Sequence, residues 1–242
     1  MLIKIADMVI KINCRYDYLP WLCSKYIVEE GDPLFEITVT QEEIEEDHRL
    51  ILQELGQDNS FGYIEGLEAY RKICIKALEY GAMFLHSACI AVDGEAYCFT
   101  ADSGTGKSTH IRLWKKLFGD RAVIVNGDKP LIRKKGDRYY VYGTPWCGKE
   151  GWSENMGAPI KALCLVERSP DNRIAPMDGF HVIYTIIEQT IRPKTESELD
   201  SVLEIMDGLL SSVPMYRLGC NMEDEAAVVA YEGMSGRKFN EA

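Results

Sequence analysis

The first 60 residues show short alternating apolar runs. Residues 2–12 alternate weakly and carry isoleucine and valine, which predicts a strand or hairpin. Residues 35–40 alternate more clearly and predict a half-buried strand. The acidic run at 42–47 is expected on an exposed face. We therefore predict a small β-rich layer over residues 1–60, with its boundary among the glycine, aspartate and asparagine residues near 57–62.

From residue 61 onward, buried strands alternate with amphipathic helices. Helical spacing predicts a helix from Tyr63 to Ala77 that ends by Gly81, and Asp93-Gly94 predicts a two-residue hairpin turn between two apolar strands. The further predicted helices are 107–118, 180–189, one after a capping box at Thr195, and one capped by Asn221; the further predicted strands are 122–125, 131–132, 139–142, 160–166 and 213–218. This order predicts an α/β core with a mixed β-sheet and flanking helices over residues 61–242.

Composition and charge narrow the classes of partner. The chain has 242 residues, with 27 Lys plus Arg against 38 Asp plus Glu and a net charge of -11, and it has no long basic run. Nucleic acids and anionic membranes are therefore poor partners. No apolar run approaches the ~20 residues of a membrane span. Eight cysteines without a C-x-x-C pair, and a start interrupted by charges, favour a cytoplasmic protein; a homo-oligomer is left open.

Residues 101–108 carry the strongest chemical signal. They read ADSGTGKS, which matches the phosphate-binding pattern G-x-x-x-x-G-K-[ST] except for alanine at the first position. An apolar strand precedes them and an amphipathic helix follows. Gly104 and Gly106 allow the backbone amides to turn toward an anion, and the helix start adds partial positive charge. We expect Lys107 on the β- and γ-phosphates of ATP and Ser108 on Mg²⁺.

The whole loop is expected to contact the nucleotide. The predicted nucleotide contacts in the loop are Ser103, Gly104, Thr105, Gly106, Lys107, Ser108 and Thr109. Asp102, inside the loop, either receives a hydroxyl proton or braces the loop.

Three further groups of residues are candidates for the site. Asp128 ends an apolar strand and is a candidate Mg²⁺ ligand, with a simple turn aspartate as the alternative. His86 precedes the strand that pairs into the loop; it is either an active-site histidine or a core histidine. In the irregular segment 143–158, a predicted lid or substrate wall, Lys149 is a candidate phosphate or carboxylate contact and Glu150 a candidate base.

Two more residues are candidates for the site, with less support from the residues around them. Cys147 is a reactive thiol if Lys149 lowers its pKa, and otherwise an inert one. Arg192, directly before Pro193, is a candidate anion clamp or an ordinary surface residue.

These residues together resemble the catalytic core of HPr kinase/phosphorylase, which is similar to the nucleotide domain of phosphoenolpyruvate carboxykinase. The resemblance lies in Leu85-His86-Ser87-Ala88, the hairpin, residues 102–108 and the strand that ends in Asp128, and it spans roughly residues 82–170. It implies a P-loop in a mixed sheet and γ-phosphoryl transfer to a serine hydroxyl. The family carries two adjacent aspartates at this strand end, where this chain has Gly127-Asp128.

The resemblance implies roles for four residues. Lys107, Ser108 and Asp128 correspond to phosphate and metal contacts, and His86 to an active-site histidine. Phosphorylation of HPr itself is not implied, because the amino-terminal domain of the family is missing. We therefore expect a Mg²⁺- and ATP-dependent transferase acting on a hydroxyl, mainly serine of a peptide or protein, or on a small molecule. The alternatives are a non-catalytic nucleotide-binding sensor or partner protein and a carboxykinase-type lyase.

Overall fold

The structure, a computed structural model, describes residues 1–239. A small sheet and its helices form the first part of the chain. The elements are β1 (Leu2–Ile5), β2 (Met8–Asn13), α1 (Tyr18–Leu22), β3 (Phe35–Thr38), α2 (Gln41–Leu55) and α3 (Phe61–Leu78). Strands β1 and β2 form an antiparallel hairpin, and β3 joins β2 in parallel. The alternating pattern thus predicted these strands correctly.

A second, nine-stranded sheet forms the rest of the fold, with helices around it. Its strands are β4 (Ala82–Phe84), β5 (Ser87–Val92), β6 (Glu95–Thr100), β7 (Ala122–Asn126), β8 (Leu131–Lys135), β9 (Arg138–Tyr142), β10 (Gly157–Arg168), β11 (Arg173–Pro176) and β12 (Met215–Cys220). The helices are α4 (Lys107–Phe118), α5 (Gly179–Glu188), α6 (Glu196–Ser212) and α7 (Asp224–Ser235).

The second sheet is mixed, as predicted. Its longest strand, β10, pairs in parallel with β6 and β12 and in antiparallel with β9. All other pairs in this sheet are antiparallel. The described part of the chain is therefore α/β with a mixed sheet and flanking helices, while the finer family assignment of this core remains a prediction.

The β5–β6 hairpin positions the phosphate-loop motif. Its turn places both Asp93 and Gly94 at positive φ, which matches the right-handed twist of the two strands. Strand β6 is buried from Ala96 to Thr100 and delivers residue 101 at the end of the sheet. Helix α4 then packs against the sheet through fully buried Trp114, whose Nε1 donates to Nε2 of His110 at 3.0 Å.

One hydrophobic core crosses the expected boundary at residue 60. It joins side chains of the small sheet, such as Ile3 and Ile10, to Ile64 and Ile73 of α3 and to Trp146. Helix α3 therefore packs on the first sheet. The division of the chain at residue 60 stays a prediction.

Two local expectations were wrong. The acidic run 42–47 begins a helix, α2, which the β-rich assignment of the first 60 residues missed; Thr40 and Glu43 form its capping box. The last helix begins at Asp224, and Asn221 instead accepts a turn hydrogen bond from the amide of Glu223. In these places local hydrogen bonding by polar side chains decides the structure.

At Thr195, half of the expected capping box forms. The hydroxyl of Thr195 accepts from the amide of Glu198, as predicted, but the Glu198 carboxylate accepts from the amide of Lys194 rather than from that of Thr195. Among residues 1–239, no helix has the length and apolar character needed to cross a membrane.

Gly143, directly after β9, is packed too closely against neighbouring backbone to leave room for a side chain. A β-carbon there would lie 1.9 Å from the carbonyl oxygen of Glu154 and 2.6 Å from that of Val125. Backbone atoms cannot move away cheaply, so we expect Gly143→Ala to lower the free energy of unfolding by about 1–3 kcal/mol.

The matched control is Gly179→Ala. Gly179 opens α5, and a β-carbon there meets no atom within 4 Å, so this change should be neutral or slightly stabilising. Urea unfolding of the wild type and both variants measures the changes in the free energy of unfolding. Equal midpoints would contradict the close backbone approach at residue 143.

Candidate functional site

A cavity of about 940 Å³ opens beside the loop between β6 and α4. It is bounded by this loop, the turn after β7, the segment 145–151, and helices α1 and α3. The residues proposed from the sequence that line it are His86, Ser103, Gly104, Gly106, Lys107, Ser108, Thr109, Asp128, Lys149 and Glu150. The fold thus brings together most of the residues that the sequence singled out.

The loop itself owes its shape to two glycines. Gly104 and Gly106 both have positive φ, 78° and 130°, and a β-carbon at either would face open space. They are therefore needed for backbone conformation and not for close packing. Helix α4 begins directly afterwards at Lys107, and its first-turn amides have no acceptor within the helix. This end of α4 attracts anions.

Lys107 is the most constrained cation of the site. Its side chain is only 7% exposed, and its Nζ donates to the carbonyl oxygens of Ala101 at 2.8 Å and Asp102 at 3.5 Å. Burial lowers the pKa of Lys107, and the charges of Asp128 and Asp102 partly offset that shift. Among the ion pairs of residues 1–239, none involves Lys107. A buried ammonium without a counterion favours an anionic ligand.

Asp128 lies across the cavity, half-buried, with both oxygens engaged. Oδ1 accepts from Nε2 of His86 at 3.1 Å, and Oδ2 accepts from Nζ of Lys129 at 2.5 Å. Burial by itself raises the pKa of Asp128, but the hydrogen bonds from His86 and Lys129 outweigh it and hold the pKa well below the ordinary value. Asp128 is therefore ionised at neutral pH, which suits a metal ligand better than a proton acceptor.

The turn that presents Asp128 is fixed by buried Asn126. Its Oδ1 accepts from the amides of Asp128 at 2.9 Å and Lys129 at 2.7 Å, and its Nδ2 donates to the Thr144 carbonyl at 3.0 Å. A β-carbon on Gly127 would lie 3.0 Å from the carbonyl oxygen of Cys147. The turn expected here from Asn-Gly-Asp is thus present, and it leaves little room for a side chain at position 127.

His86 is fixed from both sides of its ring. Nδ1 lies 2.9 Å from Oε1 of Gln189, opposite the contact of Nε2 with Asp128. The main chain of His86 is also held, because its amide donates to the carbonyl of Gln189 at 2.7 Å. The ring is half-buried and faces the cavity, so the core location considered as an alternative does not describe it.

The segment 145–151 forms a wall of the cavity. Glu150 is half-buried and lies 3.5 Å from the guanidinium of Arg112, which itself stacks over the ring of Trp152. Lys149 is exposed. Burial raises the pKa of Cys147, so its thiol stays protonated and the inert alternative describes it.

Three predicted residues lie elsewhere. Asp102 is exposed and, with Thr105, lines a neighbouring cavity of about 690 Å³ that is also bounded by β10 and α5. Arg192 is exposed in the segment after α5 and is not among the residues lining either cavity. The structure therefore does not bring Arg192 to the phosphate loop.

Sequence reasoning missed three residues that shape the site. Arg168, at the end of β10, donates to the carbonyls of Gly104 at 2.6 Å and Thr105 at 3.1 Å and so holds the loop. Gln189 orients His86, and Lys129 pairs with Asp128. Lys129 could have been found from the sequence, because it directly follows the predicted ligand Asp128. Arg168 and Gln189 could not, because they are distant in the chain and reach the site only in the folded protein.

The residues present fit Mg²⁺ bound together with a nucleotide. No group of three or more His, Cys, Asp or Glu side chains that could hold a metal by itself occurs in the described part of the chain. Mg²⁺ usually needs only one or two protein oxygens in addition to phosphate oxygens and water. Ser108 and Asp128 face the same cavity and can supply these two oxygens.

Comparison with known proteins gives little guidance. No family model and no curated protein matches the chain. Among solved structures, the Hpr(Ser) kinase/phosphatase from Coxiella burnetii is similar with 12% sequence identity and a TM-score of 0.29, over 50% of this chain and 87% of that chain. A similarity this low supports no conclusion about the activity of this protein.

The low pKa of Asp128 predicts how stability depends on pH. A carboxylate whose pKa is lowered by folding stabilises the fold fully above its unfolded pKa near 4, and this contribution is lost as the pH falls further toward the folded pKa. We expect Asp128→Asn to remove this contribution of the carboxylate. The free energy of unfolding of the variant should therefore decrease less between pH 6 and pH 3 than that of the wild type.

Urea unfolding at the two pH values measures the difference. Asp137→Asn, in the exposed turn between β8 and β9, is the control and should behave like the wild type. An identical pH dependence in wild type and Asp128→Asn would show that Asp128 is not held in its ionised form by folding.

Proposed function

We propose that this protein is an ATP- and Mg²⁺-dependent phosphotransferase that moves the γ-phosphoryl group to a hydroxyl. The observation that carries the proposal is the buried ammonium of Lys107, which has no carboxylate partner within residues 1–239 and lies under a glycine bend at the start of a helix. A triphosphate on residues 103–109 would supply the missing negative charge. Phosphoryl transfer depends mainly on such positioning and electrostatics.

The net charge of -11 does not oppose this proposal. Charges on distant surfaces are screened beyond ~8 Å at physiological salt. Lys107, Lys129 and Lys149 act within the cavity itself.

Mg²⁺ would be held by Ser108 and Asp128. The ion would neutralise charge on the β- and γ-phosphate oxygens. Each oxygen of Asp128 accepts one hydrogen bond from a side chain and keeps further lone-pair capacity for a cation. His86 and Gln189 would keep the carboxylate oriented.

The proton of the acceptor hydroxyl needs a base. Asp128 and Glu150 are the carboxylates that line the cavity. The low pKa of Asp128 makes it a weak base, so we assign the role of candidate base to Glu150. The guanidinium of Arg112, 3.5 Å away, would hold the Glu150 carboxylate in place at the cavity wall.

A nucleotide-binding sensor without catalysis is the second candidate. It is favoured by the contact of both Asp128 oxygens with protein side chains and by the lack of room for a side chain at residue 127. Turnover of ATP in the presence of Mg²⁺ distinguishes the two functions, because both require nucleotide binding and only the first requires transfer.

The nucleoside would lie in a third cavity, of about 600 Å³, which is bounded by α4, the end of β10 and the segment after β12. This nucleoside groove shares Gly104, Gly106 and Thr109 with the main cavity. Its apolar walls are Leu113, Val166, Pro170 and Met222, and they offer contact area for a base. The cavity beside Asp102 suits a nucleotide less, because three carboxylates line it, those of Asp102, Glu167 and Glu188, whereas the nucleoside groove is lined by one, that of Glu167.

Loss of Lys107 should weaken binding of any polyphosphate. Removing a charge-assisted contact costs about 1.5–3 kcal/mol, so Lys107→Ala should lower the affinity for Mg²⁺–ATP and for tripolyphosphate by about 10- to 100-fold. Isothermal titration calorimetry measures both. Lys116→Ala, which removes the same charge from an exposed position of α4 paired with Asp224, is the control. Unchanged affinity in Lys107→Ala would refute the assignment of the loop.

The nucleoside groove makes a different prediction. Leu113 is half-buried and its side chain would contact the base but not the phosphates. Leu113→Gln should therefore weaken ATP binding by about 1 kcal/mol, or about fivefold, while tripolyphosphate binding stays the same. The same titrations test it. Equal losses for both ligands would place the effect at the phosphate loop and contradict the groove.

A further inference from the structure

Lys129 directly follows Asp128 in the turn after β7 and lines the main cavity with it. Its Nζ donates to Oδ2 of Asp128 at 2.5 Å, and within residues 1–239 this carboxylate is its only hydrogen-bond or ion-pair partner. The side chain of Lys129 is 35% exposed, so the pair is partly in contact with solvent. Lys129 thus places a cation on the carboxylate that would hold Mg²⁺.

The main chain of Lys129 is held by more contacts than its side chain. Its amide donates to Oδ1 of Asn126 at 2.7 Å, and its carbonyl accepts from the hydroxyls of Tyr70 and Thr144, both at 2.6 Å. Pro130 also disfavours helical backbone angles at residue 129. A change of partner at Nζ therefore requires only rotation of the four-carbon side chain and leaves the turn in place.

The two oxygens of Asp128 differ in how easily they can be freed. Oδ1 accepts from the ring of His86, which Gln189 fixes on its other side and through its main chain. Oδ2 accepts from the flexible side chain of Lys129. A divalent cation on this carboxylate would repel the ammonium, because like charges at contact distance in a half-buried site interact strongly. Oδ2 is therefore the oxygen left for Mg²⁺, and Lys129 is the group that must give way.

An ammonium released from Asp128 finds its best new partner on a phosphate. The other carboxylate that lines the cavity, that of Glu150, is already paired with Arg112. The charge of Lys129 lowers the pKa of Lys107, so the two ammonium groups are near enough to repel each other, and an anion between them would attract both. Mg²⁺ bridges the β- and γ-phosphates of a bound nucleotide. The γ-phosphate would therefore lie next to Asp128 and the freed ammonium.

From these contacts we propose that Lys129 is an exchangeable counter-ion of Asp128, which yields Oδ2 to Mg²⁺ when the nucleotide binds and turns its ammonium to the γ-phosphate. The inference rests on the proposed function. It makes Lys129 a residue that distinguishes ATP from ADP, because ADP lacks the phosphate that the ammonium would contact. A lysine that kept its place on Asp128 would contribute equally to the binding of both nucleotides.

Metal binding tests the first half of the inference. Lys129→Met removes the charge and keeps a long unbranched side chain. Mn²⁺ is the probe, and electron paramagnetic resonance measures its Kd without nucleotide. We expect Lys129→Met to bind Mn²⁺ about tenfold more tightly than the wild type, because no ammonium competes for the carboxylate. This gain should vanish when Lys129→Met is combined with Asp128→Asn. Equal affinities of the wild type and Lys129→Met for Mn²⁺ would overturn the inference.

Nucleotide binding tests the second half. Isothermal titration calorimetry with Mg²⁺ measures the Kd for ATP and for ADP, and a gain in metal affinity affects both nucleotides alike and cancels in their ratio. Lys129→Met should lower the preference for ATP over ADP about tenfold. Lys129→Arg keeps the charge and should restore much of this preference. Equal ratios in the wild type and Lys129→Met would show that the ammonium does not contact the γ-phosphate.

Lys135→Met is the matched control. Lys135 also pairs with an aspartate, Asp7 at 2.8 Å, but it is exposed and does not line the cavity, so this variant should behave like the wild type in both titrations. An unchanged ratio of the two Kd values together with normal ATP binding refutes the inference alone. If the wild type binds no ATP, the proposed function is refuted and the inference with it.

Discussion

The contact of the Lys107 ammonium with the carbonyls of Ala101 and Asp102 is the constraint on which the site depends. It places a buried cation under the glycine bend, where burial already lowers its pKa. Neutral carbonyls solvate an ammonium only in part. The loop is thus organised around a cation whose charge Asp102 and Asp128 offset only in part, and an anionic ligand would complete it.

The sheet explains how this loop is held. Parallel pairing of β10 with β6 brings Arg168 from the far end of β10 to the loop, where its guanidinium binds the carbonyls of Gly104 and Thr105. With these carbonyls turned toward Arg168, the peptide groups are restrained in one orientation. The antiparallel pairing of β5 with β7 brings His86, which precedes β5, close to Asp128, which follows β7. Strand register therefore sets the geometry of the charges.

The sequence predicted the elements of this site better than their partners. The helix at 107–118 and the hairpin at 88–100 follow from local periodicity and turn chemistry, and both are present. Gln189 and Arg168 reach the site from segments that are distant in the chain, so no local pattern could indicate them. Helix α2 was missed because its acidic residues look like a solvated run until Thr40 and Glu43 are seen to cap it. The roles of the loop residues, Asp128 and Glu150 remain proposals.

The charges of the cavity reverse the sign of the chain as a whole. Lys107, Lys129 and Lys149 line it together with the two carboxylates of Asp128 and Glu150, although the protein carries a net charge of -11. Glu150 is further paired with Arg112. A polyanion is the ligand class that a local excess of positive charge attracts.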